Sequence, residues 1–62
     1  MKYSEAEKKL RKFGCRWHED GGSHPLWISP VTGKKFPMSY HRSEEIKPGT
    51  LKSICKLSGV KL

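Results

Sequence analysis

The chain has 62 residues, and thirteen Lys and Arg stand against six Asp and Glu for a formal charge of +7. A chain this short makes one small domain, residues 1–62, with a thin core and no deep substrate cavity, so a working site has to be a surface groove. The charge favours a polyanion, nucleic acid ahead of an anionic membrane surface or an acidic protein; no apolar run is long enough to span a bilayer, and without an apolar signal core at its N-terminus the chain reads as cytoplasmic.

Residues 3–13 carry a helical pattern. Ser4 and Glu7 have capping-box spacing, which starts the helix at Glu5 with Tyr3 just ahead of the cap. Ala6, Leu10 and Phe13, with Tyr3, make one apolar stripe, while Lys8, Arg11 and Lys12 fall on the opposite side. Gly14 ends the helix. Residues 15–19 then alternate, Cys15 and Trp17 on one side and Arg16 and His18 on the other, as in a half-buried strand. Trp17 reads as core rather than as a base-stacking platform, and His18 as a solvent-facing strand residue.

Asp20-Gly21-Gly22-Ser23 is a turn, and residues 24–29 form the second strand. His24 therefore stands where a turn enters a sheet, a common seat for a working group on a rigid scaffold. Pro25 argues for an edge position or a missing ladder bond. Leu26 and Ile28 share a side with His24 and are expected to face inward, with Trp27 outward and His24 at the rim. Pro30-Val31-Thr32-Gly33 is a second turn. Residues 34–38 make a third strand, with Phe36 and Met38 on one side and Lys35 and Pro37 on the other. Residues 39–49 are a polar connection anchored by Ile46. Thr50 caps a second helix over residues 51–58, with Leu51, Ile54 and Cys55 as its stripe and Leu57 on the flank. Gly59 and Val60 read as a C-terminal cap with its apolar contact.

Cys15 and Cys55 are the only cysteines, and both fall on apolar faces, so reduced core thiols are expected rather than a disulfide. Among Cys15, His18, His41 and Cys55 only the first two have ligand-like spacing, and there is no CxxC pair. A structural metal is not expected, nor any other cofactor. The order helix, three antiparallel strands, helix gives an α+β fold in two layers, both helices on one face of the sheet. Double-stranded-RNA-binding domains have this architecture.

One series of residues runs through nearly the whole chain: Gly14, Gly22-Ser23-His24, Phe36-Pro37, Tyr40-His41, Glu45-Ile46, and Pro48-Gly49-Thr50-Leu51-Lys52-Ser53-Ile54. It is similar to the HicA (YcfA-like) toxins of bacterial type II toxin–antitoxin systems. The resemblance implies a double-stranded-RNA-binding-like fold and metal-independent cleavage of messenger RNA that stops translation. It also implies a HicB antitoxin that covers the cutting surface, and a catalytic histidine in the Gly-Ser-His turn, here His24. Many such proteins carry a second histidine directly after the first; in this chain Pro25 takes that place.

The residues suit that chemistry. RNA holds its own nucleophile, the ribose 2′-hydroxyl, beside the phosphate to be attacked, so proton transfer and charge stabilisation are enough to cut it. A histidine, with a reference pKa of about 6.5, can accept the hydroxyl proton at neutral pH. Lys34, Lys35 and Arg42 are candidates to hold the phosphate, with the amides of Gly22 and Ser23 as a small anion nest and the Ser23 hydroxyl to orient the ring. His41 is a second candidate for proton transfer. Two rival readings remain at this level: a non-catalytic double-stranded-RNA-binding module, and a regulator whose basic face meets an acidic protein.

Overall fold

A computed structural model describes all residues, 1–62. It contains α1 (Tyr3–Lys12), β1 (Arg16–Gly21), β2 (His24–Ile28), β3 (Lys35–Pro37) and α2 (Pro48–Ser58). The strands form one antiparallel sheet in the order β1-β2-β3, so the expected meander and the α+β class are what the chain adopts. No helix is long and apolar enough to cross a membrane.

Both helices begin earlier than their sequence caps suggest, α1 by two residues and α2 by three. The first-turn amides of α1 are satisfied by a loop: Tyr3 N donates to Glu44 O and Ser4 N to Arg42 O. Glu5, not Glu7, reaches back to the amide of Lys2 at 3.0 Å. Ser4 is thereby freed from capping and lies inside the helix. In α2 the first position belongs to Pro48, whose fixed φ suits it and whose missing N–H costs nothing there. Thr50 is thus in the first turn instead of at the cap. The other ends follow expectation. Gly14 closes α1 through its bond to Arg11 O, and Gly59, at φ +73°, closes α2 through its bond to Cys55 O.

Ten apolar residues form the core, among them Ala6 and Leu10 of α1, Trp27 and Phe36 of the sheet, and Ile54 of α2. Trp27 and Phe36 are register partners and so share the inner face, where Arg11 of α1 lies over Trp27 and α2 packs against β3. This reverses the expected facing of β2. Trp27 is 4% exposed, whereas Leu26 and Ile28 are half-buried on the outer face with Lys35 and Pro37. The larger side chain takes the covered position in the central strand because it removes more apolar area from water.

Two aromatic residues expected inside are outside. Phe13 follows the last turn of α1, where its amide bonds Leu10 O, and this tighter turn swings it off the apolar stripe. It is 58% exposed. Trp17 pairs with Trp27 on the same sheet face but belongs to the edge strand, every residue of which is exposed; Trp17 is 53% exposed. The ladder is interrupted between Trp17 and Glu19, where His18 is the extra residue of a bulge. Cys15 is buried, Cys55 is half-buried, and both are free thiols.

The far end of α2 is clasped by the β2–β3 turn. Ser29 Oγ donates to Ser58 O, Thr32 Oγ1 donates to Leu57 O, and Ser29 Oγ also accepts from Val31 N. These hydroxyls satisfy carbonyls that a helix C-terminus leaves without partners.

Candidate active site

The site is built on the shortest connection in the sheet. Gly21 and His24 are paired, so only Gly22 and Ser23 join β1 to β2. Gly22 has φ +83° and Ser23 does not enter the positive-φ region, the pattern of a type II′ turn, whose twist matches that of the flanking strands. The turn therefore delivers His24, the exposed first residue of β2, at a fixed place and angle.

His24 lines a groove of about 220 Å³ together with Tyr3, Pro37, Met38 and Thr50. Each wall comes from a different element. Met38 is held against β2 by its amide, which donates to Pro25 O at 2.9 Å. Tyr3 enters from the start of α1. Burial, and after it the charge of Glu44, raises the Tyr3 phenol above its ordinary pKa of 10.0, so at neutral pH it is a protonated hydroxyl. Thr50 comes from the first turn of α2, where amides lack intrahelical partners and the helix dipole is positive. The groove thus combines one imidazole, two hydroxyls and the positive end of a helix, an arrangement that can receive an anion and move a proton beside it.

Gly22 and Ser23 adjoin His24, but the expected cations do not gather there. Lys35 pairs with Ile28, at the opposite end of β2 from His24, and its Nζ is 3.0 Å from Glu19 Oε1. Lys34 precedes it in the turn, where its amide donates to Thr32 Oγ1. Arg42 faces α1, its Nε donating to Glu7 Oε2 at 2.8 Å. His41 is exposed on the loop after Tyr40, and that loop is fastened to the hairpin by the Tyr40 hydroxyl donating to Asp20 Oδ1. The bond to Asp20 is the main reason the Tyr40 phenol lies above its ordinary pKa. No three His, Cys, Asp or Glu side chains converge into a metal-binding group.

Sequence reasoning missed Tyr3 and Thr50 as groove residues because it placed Tyr3 just ahead of a helix cap, on the apolar stripe, and Thr50 at a cap. Pro48 carried the correcting signal, since a proline at the first helical position moves Thr50 into the first turn.

A family model described as HicA toxin of bacterial toxin–antitoxin matches residues 3–60 of the chain. No curated protein and no solved structure matches it.

Proposed function

The chain belongs to the HicA toxins of bacterial toxin–antitoxin systems, and from that membership we propose that it is a metal-independent endoribonuclease that cuts messenger RNA with His24. The observation that carries the reading is the position of His24, exposed at the head of a two-residue hairpin on the rim of the groove. In this mechanism the His24 imidazole accepts the proton of a ribose 2′-hydroxyl. The resulting oxygen attacks the adjacent phosphorus, the bond to the 5′-oxygen breaks, and a 2′,3′-cyclic phosphate and a 5′-hydroxyl end are left. The amides of Gly22 and Ser23, the Ser23 hydroxyl and the dipole of α2 stabilise the phosphate as its charge develops. His41 is our candidate to protonate the leaving oxygen. Lys34, Lys35 and Arg42 act on phosphates away from the scissile one, Lys35 and Arg42 after release from Glu19 and Glu7.

A toxin–antitoxin family implies an antitoxin partner. We take that partner to be of the HicB type, covering the His24 groove, and the place of action to be the cytoplasm, where messenger RNA is translated. The deciding experiment incubates purified protein with RNA in the presence of a chelator. The wild type should cut, and His24→Ala should lose at least about a hundredfold in rate, the order general acid–base catalysis supplies, with its circular dichroism spectrum and RNA affinity preserved. Full-rate cutting by the variant overturns the assignment. A wild type that retards RNA and leaves it whole makes the chain the non-catalytic binding module instead.

A further inference from the structure

We propose that Trp17 is a platform on which an unpaired base of the RNA stacks, with the cations of α1 and β1 holding the adjoining phosphates. The proposal rests on the reading of the chain as an RNA-cutting toxin and names a second contact surface for that substrate, separate from the groove.

The chain has two tryptophans, and they are register partners on one face of the sheet. One is covered: the Arg11 guanidinium lies 4.9 Å from the centre of the Trp27 ring. The other, on the edge strand, is left bare, and Phe13 is bare at the nearby end of α1. Two large aromatic side chains of this small domain are thus left in water at one end of the molecule's α1–β1 connection.

The surroundings say what would cover it. Lys8, Lys9, Arg11, Lys12 and Arg16 are all exposed, and no carboxylate lies within ion-pair distance of any of them. The acidic residues of β1 do not neutralise them, because Glu19 is paired with Lys35 and Asp20 accepts from Tyr40. Arg16 is held in place, its Nη1 donating to Arg11 O at 3.1 Å and Cys15 O at 2.8 Å, which leaves its other donors free. A bare ring beside exposed cations, of which Arg16 is held in place, matches the two halves of a single-stranded nucleotide: base on aromatic face, phosphate on cation. A protein partner would want more apolar companions around the ring than Phe13. Trp17 stands opposite a residue three positions from His24 along β2, roughly 10 Å of strand at ordinary rise; the two side chains leave opposite faces of the sheet, so an oligonucleotide that touches both passes around its rim.

The test uses a labelled 2′-O-methyl oligonucleotide, which binds without being cut because it lacks the attacking hydroxyl. Trp17→Ala should weaken its binding about tenfold and Trp17→Phe by no more than about threefold, the order expected for one base on one ring. Trp17→Leu should resemble the alanine variant, since stacking needs a π face and not merely bulk. Replacing the bases by abasic sites should erase the difference between wild type and Trp17→Ala. Alanine or leucine variants that bind as tightly as wild type, or a loss that persists on abasic RNA, overturn the platform. If the wild type still cuts unmodified RNA in that case, the function stands and only this contact falls; a wild type that neither binds nor cuts overturns both.

Discussion

Among single side chains, the pairing of Glu19 with Lys35 is directly testable. Its carboxyl lies below its ordinary pKa of 4.5, first through the hydrogen bond from Lys35 and then through the charge of Lys35. A carboxylate with a depressed folded pKa adds stability above its unfolded value, and that stability is lost as pH falls through the folded value. Glu5, lowered mainly by its bond from the Lys2 amide, behaves the same way. Stability should therefore start to decline below about pH 4.5, and Lys35→Met should flatten that decline. An NMR titration of the Glu19 carboxyl should show its pKa moving up in the variant; an unchanged titration curve would mean that Lys35 is not the cause. At this scale the sequence was informative about His24, because two small turn residues followed by a strand leave little choice of position. It misled on Trp17. Alternation gave the correct sheet face, but whether a helix covers that part of the face is not encoded in the strand.

Elements here are positioned by their ends. Gly22 makes the hairpin possible, and nothing lies within 4 Å of a Cβ added to it. The cost of Gly22→Ala is therefore one of backbone conformation alone, about 1–2 kcal/mol. We expect a lower thermal midpoint and slower RNA cutting, with Gly22→Asn recovering part of both; an alanine variant as stable as wild type would contradict the turn geometry. At the other end of the sheet, Ser29→Ala removes a buried bond to Ser58 O and another from Val31 N. The loss is about 1–3 kcal/mol, read as a lower urea midpoint, while cutting per folded molecule stays the same because the clasp is remote from the groove. Gly59 has a second constraint besides its φ, since an added Cβ would lie 2.8 Å from Thr32 Cγ2. Element type and order were legible from apolar periodicity and turn residues. The start of α1 was not, because loop carbonyls, contacts made only after folding, replaced the cap that Ser4 offered; the start of α2 was readable from Pro48, which displaces Thr50 from the cap.

The whole molecule combines a thin core with a large excess of positive charge. A core of this size supplies no more than about 3–5 kcal/mol, and removing the fully buried Phe36 costs about as much. Phe36→Ala should therefore be mostly unfolded at room temperature by circular dichroism, whereas Ile54→Val, at about 0.5–1.5 kcal/mol, should remain folded. The charge acts over distance instead. Binding of RNA through several phosphates should weaken steeply as salt rises, and a shallow dependence would favour a protein as the partner of the basic face. Composition made the charge plain; it could not say that two of the expected site cations, Lys35 and Arg42, would be paired with Glu19 and Glu7.

The bulge at His18 has one more consequence. An edge whose peptide groups face water is an invitation for a second copy to dock strand against strand, and β1 is such an edge along its whole length. The extra residue between Trp17 and Glu19 kinks that edge. A chain with His18 deleted would present a straighter, regular rim and should self-associate as its concentration rises, where the parent remains monodisperse.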